Sequence, residues 1–284
     1  MITLVEVLNR TTTFFEGKGI PSPRLDAQLL LGHVLGLDRV KLYLNFDRPI
    51  SEPELLILRG LVRRRADREP LAWVLGTKEF YGRDFLVGQG VLVPRPDTET
   101  LIEVLTAAVG ESPDEVIYLA DVGSGSGCIG ITLALEIPRL RVYAIDASPE
   151  ALEFTRKNIE KHGLKDRVAP LNGRDLAVPP ARRIDWVVSN PPYIPTSEIQ
   201  GLAPEVSKHE PKLALDGGGD GLDMYRRLIP PAVQRAQVGI AFEVGAGQAE
   251  SVAEMLTAVG FGGEVFKDLG GVGRVVLGRR QVSK

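Results

Sequence analysis

The sequence is poor in the residues that form disulfides and metal sites. Its 284 residues include one cysteine, Cys128, and three widely spaced histidines, His33, His162 and His209. One thiol excludes a disulfide within the chain and a zinc site built on cysteines, and the histidines match no metal-ligand spacing. We therefore expect no bound metal.

An excess of positive charge and a long apolar run are also missing. The formal net charge is −3, whereas proteins that bind nucleic acid through its phosphates carry a clear surplus of lysine and arginine. No apolar stretch approaches the roughly 20 residues of a membrane span. The first residues lack the basic start and apolar core of a secretory signal. We expect a cytoplasmic monomer that binds neither membranes nor, stably, nucleic acid.

The spacing of apolar residues and glycines divides the chain near residue 75. The spacing of apolar residues from 1 to about 70 predicts short helices. One of them begins with the capping box Ser51-Glu52-Pro53-Glu54 and ends at Arg63-Arg64-Arg65. We interpret these arginines as a solvent-exposed cluster at a helix C-terminus. The segments 72–76 and 79–87 predict short strands. The sequence thus predicts a helical domain over 1–75, a β-hairpin linker over 76–95 and a larger domain over 96–284.

In the larger domain, predicted strands and helices alternate, which indicates an α/β fold with a mostly parallel sheet. The strands are expected at 116–122, 140–146, 167–171, 184–189 and 238–244, and the helices at 127–136, 149–162, 221–236 and 247–260. Two further strands, 264–269 and 274–278, flank a short glycine turn and must be antiparallel. A mixed seven-stranded sheet of this kind resembles the Rossmann-like fold of class I methyltransferases.

A glycine-rich loop, residues 121–127, joins the first of these strands to a helix. Glycines at this position allow backbone N–H groups to approach a ligand closely. Because residues 125–130 also satisfy the dinucleotide pattern GxGxxG, the loop alone leaves a nicotinamide cofactor open. Asp146 ends the next strand and is placed for the ribose hydroxyls of either cofactor. Three features favour S-adenosylmethionine: Asp121 matches the acid that faces the methionine end in methyltransferases, Asp175 ends the third strand and is placed for the adenine amino group, and Asn190 follows the fourth strand, so that successive strand ends face one crevice. The predicted cofactor-binding residues are Asp121, Gly123, Ser124, Gly125, Ser126, Gly127, Asp146, Asp175, Leu176 and Asn190.

The tetrapeptide Asn190-Pro191-Pro192-Tyr193 directly follows an apolar strand. The Asn190 carboxamide oxygen and the Pro191 carbonyl can each accept one N–H of a planar NH2 group. Pro192 holds the preceding residue extended, and Tyr193 can stack on the planar group. The motif resembles the catalytic motif of methyltransferases that modify amide and amino nitrogens, although a proline-stiffened loop would look the same. We predict Asn190, Pro191 and Tyr193 as catalytic residues, and all four as substrate-binding residues.

Several motifs occur together in one order along nearly the whole chain: residues 25–30, Pro94-Arg95-Pro96-Asp97-Thr98-Glu99, the glycine loop, 190–194, and Glu210-Pro211 followed by Gly217-Gly218 and Asp220-Gly221-Leu222. This set resembles the peptide chain release factor N5-glutamine methyltransferases. The family usually has an arginine and an aromatic residue before Glu-Pro, where this chain has Ser207 and His209.

The resemblance implies methyl transfer from S-adenosylmethionine to the side-chain amide of the glutamine in the Gly-Gly-Gln motif of class I release factors, with S-adenosylhomocysteine as product. The alternative is adenine-N6 methylation of DNA or RNA, since those enzymes share the Asn-Pro-Pro-Tyr motif, but the charge balance disfavours it. A nicotinamide-dependent oxidoreductase would leave residues 190–193 unexplained. Because the cofactor motifs all follow residue 90, we expect the N-terminal helices to recognise the protein substrate.

Overall fold

The structure, a computed structural model, describes residues 2–110, 115–179 and 181–281. Its internal contacts divide the chain into two compact units. The helical unit comprises Met1–Gly76 together with Pro204–His209, and the α/β unit comprises Thr77–Ala203 together with Glu210–Lys284. The inclusion of 204–209 in the helical unit is a feature that no local pattern in the sequence indicates.

The helical unit is built from short helices with identifiable ends. The predicted capping box is present, because the Glu54 carboxylate accepts a hydrogen bond from Ser51 N at 2.8 Å. Gly36 ends the second helix in a left-handed conformation with φ of 65°. The helices are α1 (Leu4–Gly17), α2 (Pro23–Leu35), α3 (Arg39–Leu44), α4 (Glu52–Ala66) and α5 (Leu71–Leu75), joined later in the chain by α9 (Pro204–Ser207).

The prediction of a strand over 72–76 was wrong. These residues form α5, which starts after Pro70 and ends at Gly76, whose φ is 78°. The helix buries Trp73 and Val74. Five apolar residues in a row are too few to show helical periodicity, so the tertiary packing decides their conformation.

The prediction that Arg63-Arg64-Arg65 forms a solvent-exposed cluster was wrong for Arg65. That side chain is 5% exposed, and its Nε lies 2.7 Å from Asp26 Oδ2. A second guanidinium nitrogen, Nη2, lies 2.9 Å from Glu205 Oε1. Arg68 Nη2 lies 2.7 Å from the other Glu205 oxygen, Oε2. The arginines therefore attach segment 204–209 to the helices of this unit.

His209, one of the two positions that depart from the family pattern, belongs to the same segment. Its Nε2 lies 3.1 Å from the carbonyl oxygen of Asp67. The other position, Ser207, is the last residue of α9. Both divergent residues therefore lie in the helical unit.

The α/β unit begins with an antiparallel hairpin of β1 (Thr77–Phe80) and β2 (Arg83–Leu86), which shortens the predicted strand 79–87 and puts its turn at Tyr81-Gly82. In the described part of the chain, seven further strands form one sheet in the order β5-β4-β3-β6-β7-β9-β8. Strands β3 to β7 are parallel, and β9 is antiparallel to both β7 and β8. The strands are β3 (Ile117–Val122), β4 (Leu140–Asp146), β5 (Val168–Asn172), β6 (Trp186–Ser189), β7 (Gly239–Glu243), β8 (Phe261–Lys267) and β9 (Gly273–Arg280).

Helices cover both faces of the sheet and bury its apolar side chains. Apolar residues of α6 (Glu99–Gly110), α7 (Cys128–Glu136) and α8 (Pro149–Lys161) pack in one cluster, which includes the buried Cys128. Residues of α10 (Asp223–Arg235) and α11 (Ala249–Thr257) pack on the other face. The predicted α/β fold with a mixed seven-stranded sheet is confirmed, and the boundaries of these strands and of α7, α8, α10 and α11 agree within three residues.

Two searches of the structure concern features that the sequence lacks. Within residues 2–110, 115–179 and 181–281, no helix combines the length and the apolar character needed to span a bilayer. In the same ranges, no cluster of three histidine, cysteine, aspartate or glutamate side chains is arranged to hold a metal ion.

The buried arginine of the helical unit predicts a stability difference between neighbouring residues. Arg65→Met leaves Asp26 and Glu205 without this partner, and we expect a loss of about 3–5 kcal/mol in unfolding free energy. Arg64→Met removes a half-exposed guanidinium paired with Glu69 and should cost about 0–1 kcal/mol. Urea unfolding followed by circular dichroism measures both. Equal losses would contradict the assignment of a buried pair.

Candidate active site

A cavity of about 650 Å³ lies at the carboxyl ends of the parallel strands. Because these strands run in one direction, the loops that follow them meet at the same edge of the sheet. The glycine loop follows β3, Asp146 ends β4, and Asn190 follows β6. Of the predicted site residues, Gly123, Ser124, Gly125, Ser126, Asp146, Asp175, Asn190 and Pro192 line the cavity, and Asp121, Gly127, Leu176, Pro191 and Tyr193 do not.

The glycine loop has a left-handed backbone at three positions. The φ angles of Gly123, Gly125 and Gly127 are 75°, 58° and 82°, which other residues adopt only with strain. A Cβ at Gly127 would also lie 2.9 Å from the Ile131 side chain. A Cβ at Gly123, by contrast, would meet no atom within 4 Å. The loop is therefore tight on its protein side and open beside Gly123.

Helix α8 holds this loop through two side chains that the sequence analysis missed. Thr155 Oγ1 donates to the Gly125 carbonyl at 2.8 Å. Asn158 Nδ2 donates to the Ser126 carbonyl at 2.9 Å and to the Leu86 carbonyl of the hairpin at 3.0 Å. Their spacing on one helix gives no sign of this role, because the partners are distant in sequence.

Asp121 and Asp146 end neighbouring strands and have different environments. Asp121 is fully buried, and its Oδ2 accepts a hydrogen bond from Gly130 N at 3.0 Å. Burial raises the pKa of Asp121 to about 7, and the nearby charge of Asp146 adds to this effect. Asp146 faces the cavity, where its two oxygens accept from Gly125 N at 2.8 Å and Ser148 N at 2.9 Å.

The predicted position of Asp175 needs correction. Strand β5 ends at Asn172, and Asp175 lies beyond it with φ of 56°. Its carboxylate pairs with Arg227 of α10, with 2.6 Å between Oδ1 and the arginine Nε. Leu176 packs against the apolar cluster of α10 and α11 rather than lining the cavity. The sequence analysis missed Arg227, whose partner lies on a different element.

The Asn190 carboxamide has a defined orientation. Its Nδ2 donates to Thr98 Oγ1 at 3.2 Å, so one N–H of the carboxamide is held by Thr98. The remaining acceptor, Oδ1, is the group that a substrate N–H requires. Thr98 is buried and belongs to the Pro94–Glu99 motif, which the sequence analysis associated with the family without a role for this residue.

Tyr193 does not line the cavity, and its side chain packs against the cluster of α10 and α11. Its hydroxyl lies 3.5 Å from Glu243 Oε1, at the end of β7. Burial, followed by the charge of Glu243, raises the pKa of Tyr193 to about 12, so the phenol is neutral at neutral pH. The predicted stacking of Tyr193 on a substrate remains a prediction.

The glycines of the Gly-Gly…Asp-Gly-Leu motif pack against the backbone of Tyr193. A Cβ at Gly217 would lie 2.8 Å from Tyr193 Cα, and one at Gly221 would lie 2.4 Å from Tyr193 O. Gln248, a further residue that the sequence analysis missed, donates from Nε2 to the Tyr193 carbonyl at 2.9 Å. Gly217, Gly221 and Gln248 thus hold the backbone of Tyr193 in place, and a side chain larger than that of glycine would not fit at positions 217 and 221.

Each polar residue of the Pro-Arg-Pro-Asp-Thr-Glu motif binds a different segment. Arg95 pairs with the buried Glu210, and Asp97 lies 3.0 Å from Arg274 of β9. The Glu99 carboxylate accepts from Tyr81 N of the hairpin at 2.9 Å. Thr98 binds Asn190. The motif therefore joins the hairpin, the edge strand and the Glu-Pro loop to the Asn-Pro-Pro-Tyr segment.

Comparison with known proteins assigns the family. Residues 6–76 match the PrmC N-terminal domain, and residues 96–219 match the methyltransferase small domain. The release factor glutamine methyltransferase of Geobacter sulfurreducens is 44% identical over 281 residues, covering 98% of this chain and 96% of its own. That of Moorella thermoacetica is 38% identical over 284 residues, covering 99% of both chains. The chain belongs to the release factor glutamine methyltransferases.

The resemblance inferred from the motifs is therefore confirmed, and the protein is an S-adenosylmethionine-dependent protein-glutamine methyltransferase. Among solved structures, the hMettl16 catalytic domain in complex with MAT2A 3'UTR hairpin 6 matches with a TM-score of 0.57 and 15% identity, over 80% of this chain and 82% of that chain. At this identity the likeness concerns the fold alone. The two relatives from Geobacter sulfurreducens and Moorella thermoacetica are named as glutamine methyltransferases, not as adenine methyltransferases.

The residues around the cavity fit the methyl donor of this family. The buried Asp121 Oδ1 and Ser124 Oγ have no hydrogen-bond partner within the described residues, and unpaired buried polar groups are rare unless a ligand or water completes them. A carboxylate below the loop suits an ammonium group, and the open side of Gly123 leaves room for it.

The raised pKa of Asp121 predicts a pH-dependent affinity for S-adenosylhomocysteine. Only the ionised carboxylate attracts the ammonium group, and with a pKa of about 7 its ionised fraction falls roughly tenfold between pH 8 and pH 6. We expect the dissociation constant to rise by about that factor as the pH falls. Asp121→Asn should bind weakly at both pH values. Calorimetry at pH 6 and pH 8 measures the dissociation constants of both proteins. The same pH dependence in wild type and Asp121→Asn would show that Asp121 does not bind the ammonium group.

Proposed function

We propose that this crevice methylates the side-chain amide nitrogen (N5) of the Gly-Gly-Gln glutamine of class I release factors, with Asn190 and Pro191 as the groups that hold that nitrogen. The observation that supports the assignment is the hydrogen bond from Asn190 Nδ2 to Thr98, which leaves the carboxamide oxygen to accept a substrate N–H. Asn190 lines the same cavity as the glycine loop and Asp146.

The chemistry requires orientation of a weak nucleophile. The amide nitrogen is a poor nucleophile because resonance draws its lone pair into the carbonyl. When bound, S-adenosylmethionine supplies an electrophilic methyl carbon on a sulfonium. Acceptance of both N–H groups, by Asn190 Oδ1 and the Pro191 carbonyl, would aim the lone pair and stabilise the positive charge that develops on nitrogen.

This mechanism needs no general base within the motif. Tyr193 is a poor candidate for one, because its pKa of about 12 keeps it protonated near neutral pH. The amide proton can leave after methyl transfer, when the nitrogen is strongly acidic. Tyr193 would instead contribute by the position of its ring and backbone, and Pro192 by the shape of the cavity wall.

For the methyl donor we propose the roles that the strand ends suggest. Asp121 would attract the ammonium group of the methionine end, and Asp146 would accept the ribose hydroxyls from its place in the cavity wall. Arg227 engages both oxygens of Asp175, so this carboxylate would meet the adenine amino group only through the lone pairs that remain.

The helical unit is proposed to recognise the release factor. It exposes aliphatic side chains on α3 and α4: Val40, Leu44, Leu56 and Ile57 are 69%, 78%, 71% and 56% exposed. A protein substrate that presents one glutamine to a crevice must obtain affinity from contacts elsewhere. We further propose that the enzyme acts in the cytoplasm as a monomer without stable nucleic-acid contacts, in keeping with its net charge of −3.

Asn190→Ala tests the amide-holding role. We expect the turnover number to fall by roughly 10²–10³, the range for loss of one preorganised polar group in a transition state. The affinity for S-adenosylhomocysteine should stay within a few-fold, because the main partner of Asn190 is the substrate amide. Mass spectrometry of a release factor incubated with S-adenosylmethionine gives the rate. Near-normal methylation by this variant would refute the proposed clamp.

Surface substitutions test the recognition role better than deletion of the helices, since deletion would strip Glu205 of Arg65 and Arg68. Replacement of the four exposed aliphatic residues of α3 and α4 by serine should lower kcat/KM for an intact release factor about tenfold or more, because contact area is lost. Activity on a short Gly-Gly-Gln peptide should be unchanged.

The matched control for this surface variant is Val259→Ser, a change of an exposed aliphatic residue in the α/β unit. It should leave activity on both substrates unchanged. An equal loss on protein and peptide by the α3–α4 variant, with its melting temperature retained, would show that the helices do not select the substrate.

A further inference from the structure

Glu243 is a buried carboxylate that the proposed mechanism does not use. It ends β7, has no exposed surface, and stands beside the Asn-Pro-Pro-Tyr segment. Its side chain receives hydrogen bonds from the Thr98 hydroxyl and, at 3.5 Å from Oε1, from the Tyr193 hydroxyl, whereas Oε2 has no hydrogen-bond partner within the described residues. The Tyr225 hydroxyl donates to its backbone carbonyl at 2.9 Å. A carboxylate without solvent access requires such partners.

Burial raises the pKa of Glu243 to about 7, and the contacts with Thr98 and Arg274 oppose this rise. The other ionisable groups that act on or are influenced by it are Asp97, Tyr193, Tyr225 and Cys128. At pH 8 the ionised form predominates. An ionised carboxylate can only accept hydrogen bonds, so the proton between Thr98 and Glu243 belongs to the threonine.

This assignment has a consequence for Asn190. A threonine hydroxyl has one proton and two lone pairs. With its proton directed to Glu243, Thr98 Oγ1 can only accept from Asn190, in agreement with the 3.2 Å contact from Nδ2. A carboxamide held by its NH2 group presents its oxygen on the other side. If the hydroxyl donated to Asn190 instead, the carboxamide would turn and present N–H groups to the N–H groups of the substrate.

We propose that Thr98 and Glu243 are positioning residues, which fix the Asn190 carboxamide with its oxygen toward the glutamine nitrogen. Glu243 acts through Thr98, and Thr98 acts through Asn190. The inference rests on the proposed role of Asn190. It also accounts for a polar residue at position 98 of the Pro-Arg-Pro-Asp-Thr-Glu motif, where the side chain lies in the cavity wall and is buried.

The test compares variants of the full-length enzyme at pH 8, with intact release factor and saturating S-adenosylmethionine. Thr98→Val keeps the shape of the side chain and removes both hydrogen bonds. We expect kcat to fall about ten- to a hundredfold, the scale of a misplaced reacting group, with the KM for S-adenosylmethionine within twofold. Thr98→Ser retains the hydroxyl and should retain at least a third of kcat. A role in packing alone would not be rescued by the smaller serine.

The double variant Thr98→Val/Asn190→Ala isolates the route of the effect. If Thr98 acts through Asn190, the double variant has the same kcat as Asn190→Ala. A further tenfold loss in the double variant would show that Thr98 acts independently, and would overturn the inference. An unimpaired Thr98→Val beside an inactive Asn190→Ala would overturn it as well, while leaving the role of Asn190 intact. An active Asn190→Ala would refute the proposed clamp itself.

Glu243→Gln provides a second line of evidence should the valine variant fail to fold. Glutamine has the same shape, but its NH2 group can donate to Thr98 Oγ1 and compete with Asn190. We expect a kcat loss of the same order, absent in the Asn190→Ala background. Wild-type kcat in Glu243→Gln, with S-adenosylhomocysteine binding and melting temperature preserved, would overturn the proposal.

Discussion

The common direction of β3 to β7 is the constraint on which the site depends. Parallel strands bring their carboxyl ends to one edge, so Asp121, Asp146, Ser189 and Glu243 end neighbouring strands there although they are far apart in sequence. The helices on the two faces bury the apolar strand residues and leave this edge for polar groups. Residues of the glycine loop and of the Asn-Pro-Pro-Tyr segment can therefore line one cavity.

The second requirement is that the short Asn-Pro-Pro-Tyr segment be rigid before substrate arrives. Prolines restrict the backbone locally, but they do not orient a carboxamide. That orientation comes from segments distant in the chain: Thr98 contacts the Asn190 side chain, and Gln248 holds the Tyr193 carbonyl. Groups that are already in place spend no free energy on reorganisation during the reaction. The family-specific motifs are, in this view, the supports of a motif that several methyltransferase families share.

The extent to which the sequence predicts the structure follows from the range of the interactions involved. Strands such as β3 and β4 are apolar runs bounded by glycine or acidic residues, so their position and their converging ends were predictable. The 72–76 segment was not, because five apolar residues carry no periodicity and the burial of Trp73 and Val74 in the folded chain decides their conformation. Asp175 was misplaced because its left-handed backbone and its partner Arg227 depend on packing with α10.

The same reasoning explains why the supports of the site escaped prediction. Thr98, Asn158, Glu243 and Gln248 are ordinary residues in ordinary patterns, and their roles come from contacts across tens of residues. Arg65 even carried a misleading local signal, since three consecutive arginines at a helix end usually face solvent. The local sequence indicates which conformation a segment favours by itself. Which residue pairs with a buried polar side chain depends on the fold of the whole chain.

The docking of Glu205 onto Arg65 and Arg68 has a consequence for the order of folding. Domains of a growing polypeptide commonly fold in the order of their synthesis. Here the helical unit contains a segment that the ribosome makes only after most of the α/β unit. Until residue 205 emerges, Arg65 has Asp26 as a partner but lacks its second carboxylate. The first part of this protein to be made thus waits for a much later segment before it reaches its final form.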